Sequence, residues 1–315
     1  MRYCFGIDIG GTTVKIGLVA ESGEIVTRWE IPTRKGNDPA GLLADVKASL
    51  EECMQDRHIA KEEILGIGMA APGPVTGDGV LHGAVNIGWG DVDLAGEAER
   101  IIGISPVKIG NDARVAALGE AVYGAGAGAK SMLMVTLGTG VGGGVVLDGS
   151  ILMGDSGVAG EIGHMTVDPY EKESCNCGKK GCLEQYTSAT GMVRMTKKFL
   201  AEREDASVLR ELESVTAKDL WDAAKAGDKL ADEITDHVCD ILGIAIANAV
   251  YIADTERIVI GGGVCAAGDF LLRKIEKAYQ GKVFAHSRNK TFALAKLGND
   301  AGIQGAAALI LQAAK

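Results

Sequence analysis

The chain has 315 residues, enough for two ordinary domains, and 47% of them are hydrophobic, which is enough to fill substantial cores. Its net charge of -10 argues against a surface built for nucleic acid or anionic membrane, because both attract clustered Lys and Arg. The N-terminus has no signal-peptide pattern, and the most apolar stretch, 241–253, is too short to span a bilayer. The sequence therefore predicts a soluble, cytoplasmic protein.

The first half of the chain alternates apolar runs with glycine-containing turns. Its first three runs predict an antiparallel meander of short strands. Asp38-Pro39 predicts the start of a helix, since Asp caps well and Pro suits the first helical position. The three strands of the meander are predicted at 3–9, 14–20 and 24–30. The other predicted elements of this half are strands at 64–70 and 107–109 and a helix at 113–122.

The second half opens with a strand, a glycine-rich turn and a returning strand, as the first half does. Helical periodicity follows, and a late strand runs into three glycines. The predicted elements are strands at 132–137, 145–147, 257–260 and 292–297 and helices near 189–203, 217–226, 229–252 and 300–314, with no assignment for 204–216. Strands followed by helices, twice over, predict an α/β protein with mixed sheets and a cleft between two halves.

Three glycine-rich turns follow predicted strands. In 8–13, an acid at a strand end precedes free backbone N–H groups, which suits a metal-bound phosphate, although a plain hairpin with a solvated Asp8 is the alternative. The stretch 138–143 matches GxGxxG, but a dinucleotide fingerprint must open a helix and 145–147 continues as a strand, so we predict a phosphate clamp. The glycines 261–263 either lie against an adenine ring or serve close packing.

Asn111 and Asp112 stand where a predicted strand gives way to a helix. Both side chains can point into the mouth of a cleft, where a kinase needs a carboxylate to orient the attacking hydroxyl and accept its proton. The alternative is that Asp112 only caps the helix.

A cysteine cluster is the sharpest local signal. Cys175, Cys177 and Cys182 fall within eight residues and are spaced by glycines, as in one lobe of a tetrahedral zinc site. His164, eleven residues before Cys175, is the candidate fourth ligand, and metal is favoured over a disulfide in a cytosolic chain.

Glu161 and Glu184 bracket this cluster. A bound metal would fix both carboxylates in space, and ionised acceptors bind sugar hydroxyls well. The alternative is that both are ordinary solvated surface charges.

Together these segments resemble the ROK family of sugar kinases and repressors, most closely its bacterial glucokinase branch. The resemblance covers nearly the whole chain and rests on DIGGT, Gly-Asn-Asp-Ala, GTGVGGG, ExGH and CxCGxxGCxE. It implies two actin-like (ribonuclease H-like) ATPase domains and ATP-dependent phosphorylation of the 6-hydroxyl of glucose. On that fold we predict an N-terminal domain of 1–118 plus 299–315 and a C-terminal domain of 119–298 with the zinc lobe.

The resemblance also implies roles for individual residues, with Asp112 as the general base. The implied sugar ligands are Asn86, Asn111, Asp112, Glu161, His164 and Glu184. The implied nucleotide ligands are Gly10, Gly11, Thr12, Thr139, Gly140 and Gly262, with Asp8 acting through Mg²⁺. The implied ligands of a structural zinc ion are His164, Cys175, Cys177 and Cys182.

Some alternatives stay open at this point. Arg114 stands where many glucokinases have Asn, and Ala253-Asp254 replaces a frequent Asn-Pro, so the sugar could be N-acetylmannosamine, N-acetylglucosamine or fructose. A repressor needs a DNA-reading helix-turn-helix ahead of the core, but only seven residues precede Asp8. An actin-like filament protein would not use the zinc lobe. We expect ATP and a small sugar as partners, no nucleic acid or membrane, and a homo-oligomer, either dimer or tetramer.

Overall fold

The structure, a computed structural model, describes residues 1–34, 36–84 and 87–313. By contacts it divides into two units, the first comprising Met1–Gly128, Asp148–Ala159 and Leu297–Lys315 and the second Ala129–Leu147 and Gly160–Lys296. Contact units need not coincide with folding domains, so the predicted domain boundaries stay a prediction.

The described residues contain strands and helices along the whole chain. The strands are β1 (Tyr3–Ile9), β2 (Thr13–Ala20), β3 (Ile25–Pro32), β4 (Ile64–Ala71), β5 (Val80–Ala84), β6 (Trp89–Asp93), β7 (Val107–Asn111), β8 (Ser131–Leu137), β9 (Val141–Leu147), β10 (Ser150–Ile151), β11 (Arg257–Gly261) and β12 (Thr291–Leu294). The α-helices are α1 (Pro39–Asp56), α2 (Leu94–Ile102), α3 (Asp112–Tyr123), α4 (Glu184–Thr187), α5 (Ala189–Glu202), α6 (Ala217–Lys225), α7 (Lys229–Ala253), α8 (Asp269–Gln280) and α9 (Ala301–Ala313).

The first unit is built on a mixed sheet with strand order β3-β2-β1-β4-β7. Strands β1, β2 and β3 are antiparallel, which confirms the predicted meander, and β4 and β7 join in parallel. Helix α1 begins as predicted, with the Asp38 side chain accepting a hydrogen bond from the Gly41 N–H and Pro39 at the first position. The antiparallel pair β5 and β6 and helix α2 have no counterpart among the predictions.

The backbone of helix α9 packs directly against the backbone of β4 and of α3 in this unit. A β carbon added at Gly68 in β4 would lie 1.7 Å from the Ala306 carbonyl oxygen, and one at Gly305 would lie 1.8 Å from the Val115 carbonyl oxygen. Side chains at these two glycines would push α9 away from β4 and α3. The close approach therefore fixes the start of α9, where Gly302 lies against the Asp8 carboxyl group.

The second unit contains a sheet in which β9, β8, β11 and β12 are neighbours in that order. Strand β9 is antiparallel to β8, whereas β11 is parallel to both β8 and β12. The glycine turn expected between the predicted strands 132–137 and 145–147 is shorter in the structure, because 141–144 belong to β9 and pair with β8. Helix α8 was not predicted, and the last strand ends at Leu294.

Helix α7 is long and apolar enough to cross a membrane, judged by length and composition alone. It extends well beyond the apolar stretch 241–253. Its side chains Leu230, Ile234, Val238 and Leu242 belong to the hydrophobic core of the second unit. Such burial is the ordinary arrangement of a core helix, and we interpret α7 as one.

Candidate active site

Asn111 and Asp112 lie at the junction of β7 and α3, in the first unit. Asn111 is buried and caps the helix, since its Oδ1 accepts from the Arg114 N–H at 3.3 Å and its amide donates to the Gly73 carbonyl at 3.1 Å. Asp112 is exposed, and its Oδ1 accepts from the Ala113 N–H at 2.7 Å. The interpretation of Asp112 as the cap is therefore wrong. Asn111 is the cap, and the Asp112 side chain is exposed at the first position of α3.

Asp8 is the last residue but one of β1 in the same unit, just ahead of the turn with Gly10, Gly11 and Thr12. The turn closes through a Gly10 N–H to Thr13 carbonyl bond of 3.0 Å, and Gly11 and Thr12 are exposed. Burial raises the pKa of Asp8 to about 6, an effect reduced by Lys15 and reinforced by the negative charge of Asp112. Asp8 is therefore not a solvated hairpin acid, and its carboxyl group lies near enough to Asp112 for the two charges to interact.

This raised pKa predicts a pH-dependent stability. Between about pH 4 and pH 6 the folded protein keeps the Asp8 proton that the unfolded chain has released, so the free energy of unfolding falls as pH rises. One pKa unit is worth about 1.4 kcal/mol, so the loss is about 3 kcal/mol. We expect Asp8→Asn to be more stable than the natural protein by that amount at pH 7 and equally stable near pH 4.

Urea unfolding of both proteins at several pH values measures this difference, and the comparison cancels the contributions of the other acids. A stability difference that stays constant from pH 4 to pH 7 would contradict the raised pKa of Asp8.

The predicted metal ligands come together in the second unit. One ligand atom from each of His164, Cys175, Cys177 and Cys182 lies within 4.8 Å of the others, and the sulfurs of Cys177 and Cys182 are 3.6 Å apart. Sulfurs on a tetrahedral zinc ion with Zn–S bonds of about 2.3 Å would be separated by about 3.8 Å. The buried Nδ1 of His164 has no hydrogen-bond partner within the described ranges. Three thiols and one imidazole at these distances fit a zinc ion.

The loop that leads to Cys175 is held by residues that the sequence analysis missed. The Tyr186 hydroxyl lies within hydrogen-bond distance of two carboxylates, Glu171 at 2.7 Å and Asp168 at 3.1 Å, and Arg194 donates to Glu171 and, at 2.9 Å, to Glu173. Burial opposes ionisation of Glu171, but the bonds from Tyr186 and Arg194 outweigh it and lower its pKa to about 2. No spacing in the sequence signals this network, because its members are far apart along the chain.

The second glycine turn, 138–140, connects β8 to β9 and contains the predicted nucleotide ligands Thr139 and Gly140. Because β9 is an antiparallel strand and no helix follows the turn, the dinucleotide fingerprint is excluded here. Gly262 follows β11 with a φ of 88°, and a β carbon there would lie 2.4 Å from the Leu137 carbonyl oxygen. Only glycine fits at that position, next to the strand that carries the turn.

A cavity of about 570 Å³ lies beside the turn, wholly within the second unit. Its size is that of a site for a small ligand. Its lining includes Gly138, Thr139, Trp221, Gly263, Val264 and Ala267. Trp221 comes from α6, and no motif in the sequence identified it.

The predicted site residues are thus distributed over the two units. The described residues of the first unit include Asp8, Gly10, Gly11, Thr12, Asn111 and Asp112. Those of the second include Thr139, Gly140, Glu161, His164, Cys175, Cys177, Cys182, Glu184 and Gly262. Asn86, a predicted sugar ligand, lies outside the described residues.

Comparison with known proteins agrees with these motifs, since the family described as the ROK family matches residues 4–313. The chain belongs to the ROK family. It is 44% identical to a glucokinase of Halalkalibacterium halodurans over 99% of this chain and 96% of the relative. Both the predicted family and the predicted actin-like α/β fold are confirmed.

Solved ROK structures and ROK repressors are similar as well. A glucokinase of Streptomyces griseus, solved with glucose and AMPPNP, has a TM-score of 0.77 and 31% identity, covering 98% of this chain and 99% of that one. A putative xylose repressor of a Caldicellulosiruptor species is 30% identical over 97% of this chain but only 77% of its own length. The ROK core is therefore shared by kinases and repressors.

Proposed function

We propose that this protein is a glucokinase that transfers the γ-phosphoryl group of ATP to the 6-hydroxyl of glucose. The observation that carries the proposal is the 44% identity to a glucokinase over nearly the full length of both chains. The glucokinase solved with glucose and an ATP analogue supports the same sugar and nucleotide. The predicted activity, ATP-dependent phosphorylation of glucose, is confirmed at this level.

Asp112 is the proposed general base. Its exposed carboxylate takes the proton of the 6-hydroxyl while that oxygen attacks the γ-phosphorus, and ADP leaves on the opposite side. The Asn111 cap and the Ala113 N–H fix the start of α3, so the carboxylate has a defined position before substrate arrives. Pre-organisation of this kind supplies much of the rate in phosphoryl transfer, where the protein does little covalent chemistry.

The sugar is proposed to bind polar side chains that accept from its hydroxyls. The proposed ligands are Asn86, Asn111, Asp112, Glu161, His164 and Glu184. His164, Cys175, Cys177 and Cys182 would hold a zinc ion, which supplies rigidity to this region and no chemistry of its own. The imidazole of His164 would then use one nitrogen for the metal and the other for the sugar.

ATP is proposed to bind through backbone N–H groups at two turns and through the cavity beside the second turn. Gly10, Gly11, Thr12, Thr139 and Gly140 would contact the phosphates, and Asp8 would act through Mg²⁺, which would neutralise charge on the phosphate oxygens. Gly262 and the apolar wall formed by Trp221 and Val264 receive the adenosine. A large aromatic side chain such as Trp221 in the lining of a cavity suits a flat aromatic base.

The test is a panel of sugars with ATP in a coupled assay of ADP release. We expect glucose to have the highest kcat/KM, with N-acetylmannosamine, N-acetylglucosamine and fructose at least about tenfold lower, the discrimination that contacts to single groups provide. A higher kcat/KM for one of these other sugars would make this protein a different hexose kinase. No ADP release with any sugar, from protein that binds glucose, would support a sugar sensor instead.

We further propose a cytoplasmic homo-oligomer, either dimer or tetramer, with the predicted domain boundaries. The net charge of -10 supports small-molecule partners over nucleic acid or anionic membrane.

A further inference from the structure

Glu184 stands between the Cys/His cluster and the phosphate turn 138–140, all within the second unit. Its Oε2 accepts a hydrogen bond of 2.9 Å from the Val141 N–H, the first backbone donor after the turn. Its Oε1 lies 3.8 Å from the sulfur of Cys175. One carboxylate therefore contacts both the cluster and the strand end that carries the turn.

The turn is shaped around this carboxylate. A β carbon added at Gly140 would lie 2.3 Å from Glu184 Oε2, so no larger residue fits there while Glu184 keeps its place. The contact with Glu184 therefore explains why position 140 is a glycine, and no bound ligand is needed for that explanation. Hydrogen bonds to an ionised acceptor are among the stronger ones, and this one is partly shielded from solvent.

The residues after Glu184 hold the rest of the turn. The Ala189 N–H donates to the Gly138 carbonyl at 2.8 Å, and the Thr190 hydroxyl donates to the Thr139 carbonyl at 2.9 Å. At the other end of this segment, Cys182 pairs with Thr166 and the Leu183 N–H donates to Met165 at 2.9 Å. The segment 182–190 is a short brace that runs from the metal-ligand cluster to the phosphate turn.

We infer that Glu184 is a positioning residue for the ATP phosphates, in addition to its proposed contact with the sugar. This inference rests on the proposed function, since it assumes that the turn 138–140 binds the phosphates of ATP. By accepting from Val141, the carboxylate holds the turn in the form that presents its remaining N–H groups to anionic oxygens. Loss of Glu184 should therefore weaken nucleotide binding even when no sugar is present.

The experiment measures binding of the non-hydrolysable analogue AMPPNP with Mg²⁺, without sugar, by titration calorimetry. For Glu184→Ala we expect the Kd to rise about 10–100-fold, the range for loss of a charge-assisted hydrogen bond. Glu184→Gln keeps an acceptor for Val141 and should stay within about threefold of the natural protein. The same two variants are also titrated with glucose, and rescue of AMPPNP but not glucose binding by Gln separates the two roles.

Glu161→Ala is the matched control, since Glu161 flanks the cluster but is assigned only to the sugar. It should weaken glucose binding and leave the Kd of AMPPNP unchanged. Thr190→Val removes the hydroxyl that bonds to Thr139 and that also lies 3.0 Å from the Ser188 hydroxyl, and we expect it to raise the AMPPNP Kd about 2–10-fold. This second variant keeps the inference testable if Glu184→Ala does not fold.

The outcomes distinguish this inference from the proposed function. A natural protein that binds no AMPPNP would overturn both. A natural protein that binds AMPPNP, with Glu184→Ala or Thr190→Val binding it equally well, would overturn only the positioning role. Equal weakening by Glu184→Ala and Glu161→Ala would also overturn it, because the effect would then not be specific to the residue that contacts the turn.

Discussion

Replacement of Asp112 by asparagine is expected to lower kcat by about 10²–10⁴-fold, the usual contribution of a general base. Asparagine has nearly the shape of aspartate and still accepts from the Ala113 N–H, so the start of α3 should not change. It cannot take a proton from the 6-hydroxyl. Steady-state kinetics with saturating glucose and ATP measures the loss, and calorimetry checks that glucose still binds.

Asp269→Asn is the matched control for this variant. Asp269 is also an exposed acid at the first position of a helix, α8, and no role in the site is assigned to it. It should leave kcat and both KM values unchanged. Near-normal turnover by Asp112→Asn, or an equal loss in both variants, would contradict the assignment of Asp112 as the base.

Replacement of Cys177 by serine is the second change with a large expected effect. Cys177 is the exposed member of the cluster, so the substitution opens no cavity and tests the ligand set directly. Bound zinc should fall from about one ion per chain to well below half, since a serine hydroxyl is a poor ligand for zinc. We expect the affinity for glucose to fall by at least about tenfold, the loss that is usual when residues supporting a metal site are changed. The affinity for AMPPNP should fall less than the affinity for glucose.

Metal content by elemental analysis and calorimetric titration with glucose and AMPPNP make this measurement. Cys53→Ser serves as the control, because Cys53 is a half-buried thiol of the first unit, outside the cluster. Freshly purified natural protein without zinc would contradict the metal site. Full zinc content in Cys177→Ser would remove that residue from the ligand set.

Elements with strong local signals were predictable from the sequence. The meander of β1, β2 and β3 follows from short apolar runs separated by turn residues, and α1 follows from the Asp38 cap and its proline. The cysteine cluster has the spacing of a metal lobe, and the structure brings its ligand atoms together. In each case, the residues that determine the feature are close in sequence.

Elements without such signals were missed. Strands β5 and β6 have five residues each, too few for a clear alternating pattern, so their pairing could not be predicted from the sequence. The predicted length of the glycine turn after β8 was too great, because glycine weakens a strand and a run of glycines therefore predicts a turn. In the structure, 142–144 belong to β9 because they pair with β8. Segment 204–216 contains only a short 3₁₀ helix, Val208–Glu211, which has too few residues for a periodic pattern.

The candidate site divides in the same way. Motif residues such as Asp8 and Asp112 could be named from sequence, but hydrogen-bond geometry was needed to show that Asn111, and not Asp112, caps α3. The contact of Glu184 with Val141 joins residues 43 positions apart, and the network around Tyr186 joins a loop to two helices. The spacing of residues in the sequence does not predict hydrogen bonds between such distant residues.

By itself, the sequence determined the kinds of chemistry present: an acid after a strand, glycine turns, and thiols with an imidazole at the spacing of metal ligands. These depend on residue type and on local backbone preference, both of which are written along the chain. Tertiary structure alone decided which acid is buried, which side chain caps α3 and which carboxylate accepts a hydrogen bond from the Val141 N–H. Burial and hydrogen bonding depend on neighbours that only folding brings together, and so do the charge states and positions on which the chemistry relies.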